Sequence, residues 1–370
     1  MGKKRVSAEP PSEQSLTWRV SDEGMDLLER AGLAGLYMAL RAARSAGVDL
    51  SPLTWRDDDL QPDAVTVRWT GSAKPAFAKL MEWAWQVKDD VLLFPAIHGE
   101  REAARLELRV ASHNGIMRTF LQHVNSQPKL EAVTRLVPLD EGRTVNISFE
   151  PPAARVDDLE REINPKTKRH HKKKVAADRV RPHEDLDKLF DSKGELTKKE
   201  VSLSNWLYPG IAGRYGDEES WVGTARMALA LMLAPTTCLY LRLQGEGNNW
   251  VIVIPDVRDL ATFAAVRPRL TLRPDFTDVA SLGDAGFKYL AYATQGAQRR
   301  LSTGCRVVAM GYVGYYQGQS IRKAVLDVPA QSKAVARYRL LQRELDNQYV
   351  PLKVEPASPL KEKAKRSSKK

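Results

Sequence analysis

From Pro151 to about Glu200 the chain runs through mostly charged sequence with few apolar side chains. Such a stretch buries too little surface to fold by itself, so a core must come from the denser sequence on either side. The 370 residues fit two domains of ordinary size. The organisation expected is a flexible N-terminus over 1–14, an N-terminal α+β lobe over 15–150 and a charged basic linker or insertion over 151–200. A second α+β lobe over 201–348 and a basic disordered tail over 349–370 complete it. Hydrophobic residues make up 43% of the chain and charged ones 28%, the usage of a globular protein, so both dense stretches can build a core.

The formal net charge is +11, and it is concentrated. Residues 166–174 (KTKRHHKKK) carry +6 without an acid, and residues 361–370 carry +5, so these two segments hold the whole excess. A balanced body with local basic clusters attracts polyanions through counterion release, with an affinity that falls as salt rises. The internal cluster interrupts folded sequence at a cost in self-repulsion, which points to phosphate contact by Lys166, Lys168, Arg169, His170, His171, Lys172, Lys173 and Lys174.

The longest apolar run, Met227 to Cys238, contains Pro235 and falls short of the roughly 20 residues a membrane span needs. Met1 to Pro11 has charge but no apolar centre, so no secretory signal is read there. Cys238 and Cys305 are the only cysteines, too few for a disulfide framework or a four-cysteine zinc site. A cytoplasmic protein without membrane association, metal or cofactor is expected.

Hydrophobic periodicity gives the elements. Leu16 to Val20 reads as a strand. Ser21, Asp22 and Glu23 then precede an amphipathic helix over Met25 to Ala46, with Leu28, Leu36 and Leu40 on its core face. Gly32 and Gly35 inside that helix each cost about 1 kcal/mol against alanine, a loss that close approach of a neighbouring backbone would explain. Further strands are read at Ala64 to Trp69, Val91 to Phe94 and Val145 to Phe149, with a helix over Lys74 to Trp85. Asn114-Gly115 reads as a turn before a helix over Ile116 to Asn125.

In the second half, helices are read over Ser220 to Leu233, Asp256 to Val266, Asp278 to Leu301 and Val335 to Leu345. Cys238 to Leu243 and Trp250 to Ile254 form paired strands around the turn-forming connection Gln244 to Asn249. Cys305 to Val313, interrupted at Gly311, and Ile321 to Val328 are two more. Strands scattered among helices without a regular βαβ cadence predict an α+β fold of irregular mixed sheets and packed helices in two lobes.

Catalytic motifs are wanting. The sequence has no nucleophile elbow, Walker loop or zinc-protease helix, and no enzymatic activity is expected. The acid run Asp57 to Asp59 leaves one alternative, a metal-dependent nuclease, and a second alternative is an RNA-binding assembly protein that uses the basic cluster without duplex recognition. Binding chemistry is better represented. Gly311 to Lys323 mixes aromatics, glycines, amides and cations, so Gln317 and Gln319 could read base edges while Arg322 and Lys323 hold phosphates. Asn248 and Asn249, at a hairpin tip, could enter a groove.

The segment Gly24 to Leu40 (GMDLLERAGLAGLYMAL) resembles the N-terminal signature of the large-subunit protein of MYXAN-subtype type I CRISPR systems, the family of fruiting-body developmental protein T. Ser202 to Gly210 (SLSNWLYPG), Leu233 to Tyr240, Val253 to Val257 and Gly311 to Lys323 are similar to further blocks. The resemblance implies a non-catalytic subunit of Cascade that binds target duplex DNA at the protospacer-adjacent motif and helps separate its strands. It also implies a set of partners: guide RNA, backbone, handle-binding and small subunits, and an effector helicase-nuclease or transposition proteins. Many such subunits continue into a C-terminal helical bundle. Here a basic tail follows soon after Leu345, so no separate bundle is expected and small subunits would be distinct chains.

Overall fold

The computed structural model describes residues 12–99, 105–121, 130–138, 144–152, 161–163, 170–172, 180–209, 220–244, 249–270, 277–293, 302–312 and 320–344. Strand β1 (Glu13–Arg19) is followed by helix α1 (Leu27–Ser45), and then β2 (Leu53–Thr54) and β3 (Ala64–Thr70) complete a small antiparallel sheet of order β1-β3-β2. The cap of α1 is Asp26, not the upstream Ser21 to Glu23: its Oδ1 accepts from the Leu28 N–H at 2.8 Å and the Glu29 N–H at 3.4 Å.

Helix α1 also differs from the amphipathic reading. Every residue from Ala31 to Leu40 is buried, because neighbours cover it all round. The next elements are α2 (Ala73–Ala84), the hairpin of β4 (Gln86–Lys88) and β5 (Val91–Leu93), α3 (Pro95–His98) and α4 (Leu106–Arg118). Asn114 and Gly115 lie inside α4 and do not form a turn. Glycine is needed there because a Cβ would meet the Tyr240 ring at 2.2 Å. The helix stops at Arg118, short of the predicted end, and residues 122–129 lie outside the described ones. Arg109 of α4 is 1% exposed and donates from Nη2 to the Val91 carbonyl at 2.9 Å, which fastens α4 to the β4–β5 hairpin.

Two hairpins follow, β6 (Val133–Pro138) with β7 (Thr144–Phe149), and β8 (Arg161–Ile163) with β9 (His170–Lys172). The short helix α5 (Arg181–Asp185) and the turn after it bring Val180, Leu186 and Leu189 into the core from within the charged stretch. The predicted helix over Ser220 to Leu233 is a correction. Ser220–Thr224 is strand β11, paired antiparallel with β10 (Glu200–Ser204), and only then does helix α6 (Ala225–Leu231) begin. Thr224 ends the strand and caps the helix, its Oγ1 accepting from the Met227 N–H at 3.3 Å. Helix α7 (Ala234–Thr237) follows with Pro235 in its first turn.

The main sheet is built from β12 (Leu239–Leu243), β13 (Trp250–Val257), β14 (Asp278–Val279), β15 (Ser302–Tyr312) and β16 (Ser320–Pro329), in the order β14-β12-β13-β15-β16. Among the described residues only the β12–β14 pair is parallel. Asp256 and Val257 belong to β13, so α8 (Leu260–Val266) starts later than expected, capped by Asp259 on the Thr262 N–H at 2.8 Å. Likewise Asp278–Val279 are strand, and α9 (Leu282–Ala293) covers only part of the predicted helix; residues 294–301 lie outside the described ones. Gly311 does not interrupt β15, since it stays paired with Ile321.

Strand β13 is buried along nearly its whole length because α1 and α4 pack on one face of the sheet and α9 on the other. Helix α1 is pressed between this sheet and the α6–α7 segment, which accounts for its burial all round. Helix α10 (Ser332–Glu344) closes the described chain and packs on α9. The result is the expected α+β fold, with one mixed five-stranded sheet, several small antiparallel sheets and packed helices. Among the described residues no helix is long and apolar enough to cross a membrane.

Candidate nucleic-acid interface

Antiparallel pairing brings two of the predicted binding segments to one end of the main sheet. Arg242 of β12 pairs with Trp250 of β13, Trp250 with Met310 of β15, and Met310 with Arg322 of β16. The β12–β13 and β15–β16 connections therefore leave the sheet side by side. The four-residue row spans three strand spacings, about 14 Å from Arg242 to Arg322, near the ~12 Å width of a B-DNA major groove. Asn249 closes the first connection, its carbonyl accepting from the Leu243 N–H at 3.0 Å. Tyr312 and Ser320 form the last pair before the second. Asn248, Gln317 and Gln319 lie outside the described residues.

Lys323 occupies a distinctive backbone position. Ala309 pairs with Ala324 and Met310 with Arg322, which leaves Lys323 as the extra residue of a β-bulge on the edge strand. Bulges bend and re-aim an edge and protect it from adventitious strand pairing. Arg242 was absent from the sequence-based candidates. Its Nε and Nη2 form a two-pronged ion pair with Asp278 Oδ1 at 2.6 Å and Oδ2 at 2.7 Å, and its side chain is 57% exposed. Sequence alone does not single it out: Leu243 stands between Arg242 and the connection Gln244 to Asn249, and the pairing of Arg242 with Trp250 comes from the sheet register.

The basic cluster has local order that a loop reading does not contain. His170, His171 and Lys172 form β9 and pair with Ile163, Glu162 and Arg161. Lys166, Lys168, Arg169, Lys173 and Lys174 lie outside the described residues. Strand register joins the two connections of the main sheet to each other, but it does not link the β8–β9 hairpin to that end.

Two of the three acids in the run are held by arginines. Asp57 pairs with Arg44, and Asp59 meets Arg68 Nη2 at 2.7 Å and Nε at 3.2 Å while accepting the Arg56 N–H at 2.9 Å. Burial pushes the Asp59 pKa up, but the Arg68 and Arg56 hydrogen bonds outweigh it and the net shift is downward. Among the described residues no group of three or more His, Cys, Asp or Glu side chains is placed to hold a metal ion. His113 is a core residue: Nδ1 accepts from the Leu92 N–H at 3.2 Å, Nε2 donates to the Glu150 carbonyl at 2.9 Å, and burial lowers its pKa to about 4. Cys238 is buried too, its thiol pushed up to about 12.

A family model described as the DevT N-terminal domain matches residues 17–232, more than half of the chain. The match runs from β1 to the end of α6, so it includes buried α1 with Gly32 and Gly35 and stops before the main sheet. No curated protein matches the chain.

Proposed function

Because the chain belongs to the DevT family, we propose that it is the non-catalytic large subunit of an RNA-guided CRISPR surveillance complex, acting in the cytoplasm. In this reading it binds target duplex DNA at the protospacer-adjacent motif and aids strand separation. It then recruits a helicase-nuclease or transposition proteins. Its other partners are the guide RNA and the backbone, handle-binding and small subunits. Base pairing with the guide reads most of the target, which leaves the protein a short duplex motif and the phosphates.

The observation that supports this reading most is the convergence of Asn249, Arg242, Arg322 and Lys323 at one end of the main sheet. Amides and cations on paired strand ends suit a groove, where a two-stranded ribbon can reach base edges while arginines hold phosphates. The β8–β9 hairpin, with the lysines around it, would hold backbone elsewhere.

The test is binding of the guide-loaded assembly to duplexes carrying a randomised flanking motif, at several salt concentrations. Arg322→Gln with Lys323→Gln should weaken duplex binding about tenfold or more and flatten its salt dependence. Unchanged binding at all salt concentrations would remove the sheet end from the site. RNA binding lost on neutralising Lys172 to Lys174, with no duplex motif ever preferred, would favour an RNA-binding assembly protein. Magnesium-dependent cleavage abolished by Asp58→Asn would instead establish a nuclease.

A further inference from the structure

Helix α10 carries two faces of opposite character. Val335 and Tyr338 are buried against α9, and the Tyr338 ring stacks on Phe287 at 5.7 Å and 24°. The Tyr338 hydroxyl bonds the Asp284 carboxylate, and Gln342 Nε2 donates to that hydroxyl at 3.0 Å. Arg339 Nη2 donates to the Ala291 carbonyl at 2.7 Å. The helix is thus fixed along its length and cannot roll to hide its other side.

That other side exposes Leu340 at 50% and Leu341 at 42%, adjacent apolar side chains on a helix whose inner face is already satisfied. At helical spacing, Lys333, Arg337 and Leu340 fall on one stripe, with Ala336 and Leu341 flanking it. No carboxylate pairs with Lys333 or Arg337 among the described residues, whereas Arg343 pairs with its neighbour Glu344 at 3.1 Å. An apolar centre bordered on one side by Lys333 and Arg337, and on the other by the self-paired Arg343 and Glu344, is poorly matched to a phosphate backbone, which gives leucine nothing to bury against. It is well matched to an amphipathic helix whose leucines are bordered by carboxylates.

We propose that the outer face of α10 docks a protein partner that presents an acidic amphipathic helix. The interaction goes beyond the nucleic-acid reading and stands without it.

The test uses the full chain and two labelled synthetic helical peptides with the same leucine stripe, one bordered by glutamates and one by lysines. A single-stranded oligonucleotide serves as competitor, and binding is read by fluorescence anisotropy. The glutamate peptide should bind at least tenfold tighter than the lysine peptide. Leu340→Ser with Leu341→Ser should weaken it tenfold or more, and Lys333→Glu with Arg337→Glu should invert the preference between peptides. Both double variants change exposed side chains, and should the leucine pair fail to fold by circular dichroism, the charge reversal decides alone. Equal binding of the two peptides, no effect of the substitutions, or displacement by the oligonucleotide would overturn the proposal, the last by making α10 a nucleic-acid face. Peptide binding should persist in the Arg322→Gln, Lys323→Gln variant, so failure at the sheet end and failure at α10 are separable.

Discussion

A Cβ on Gly32 would sit 2.2 Å from the carbonyl oxygen of Ala230 and 2.6 Å from its carbonyl carbon. Both atoms are backbone, so no side-chain rotation can relieve the clash, and either α1 or α6 must move. Gly35 repeats the relationship one turn on, 2.3 Å from the Leu233 carbonyl oxygen. The two glycines let α1 pass against the α6–α7 backbone while the sheet covers its other side.

Gly32→Ala should therefore destabilise the protein by about 3 kcal/mol or more, the upper part of the range for overpacking a tight core. Gly47→Ala is the control. Its φ is +65° and nothing lies within 4 Å, so only the left-handed backbone is penalised, by about 1–2 kcal/mol. Urea denaturation of both variants checks the ordering, and equal losses would mean that α6 yields freely.

That relationship was partly legible in the sequence, because glycine inside a long apolar helix is costly unless a backbone passes close by. Gly115 shows the limit of the same signal. The Asn-Gly pair reads as a turn, and only the position of Tyr240, 125 residues along the chain, explains why the helix continues through it. Ser220–Thr224 was misread because it adjoins a helix-forming run, and its partner Glu200–Ser204 lies across a separate segment. Strand pairing is a long-range property that local periodicity does not carry. At the candidate site, residue types identified the two connections, while their juxtaposition and the place of Arg242 needed the sheet order.

Acid should weaken the fold through histidines that are held neutral. His113 has its pKa lowered to about 4 and His98 to about 3, in each case chiefly by burial, with Arg109 opposing a second positive charge. The unfolded chain takes up these protons near pH 6.5, so it binds more protons than the folded state below that value. Stability should fall as pH drops from about 6.5 toward 4, by roughly 1.4 kcal/mol per pH unit for each histidine. Urea midpoints at pH 7 and pH 5 test this. His113→Gln should be less stable at pH 7 but should lose less on acidification.

Burial of Arg267 should make the α7–β12 junction sensitive to loss of its guanidinium. The residue is 2% exposed, with Nε on the Thr237 carbonyl at 2.9 Å and Nη2 on the Cys238 carbonyl at 2.8 Å. Burial pulls its pKa down to about 10, so the charge is retained at neutral pH. Arg267→Met keeps much of the volume but leaves two buried carbonyls without these donors, at about 1–3 kcal/mol each. A melting temperature within a degree of the parent would show that water replaces both bonds.

The Arg242–Asp278 pair allows the nucleic-acid reading to be tested by the sign of an effect. Arg242→Gln and Asp278→Asn break the same half-exposed ion pair, and exposed pairs contribute only about 0–1 kcal/mol, so both variants should fold. Their effects on binding should be opposite. Loss of the arginine removes a phosphate contact, so affinity falls and the slope of log affinity against log salt shrinks by about 0.9 for one phosphate. Neutralising Asp278 removes the carboxylate that competes with phosphate for that guanidinium, so affinity for duplex should rise about two- to tenfold at low salt and converge with the parent at high salt. Titration of labelled duplex with the guide-loaded assembly separates the cases. Two variants that weaken binding alike would mean that the ion pair only shapes the sheet end, and Arg242 would then leave the list of contacts.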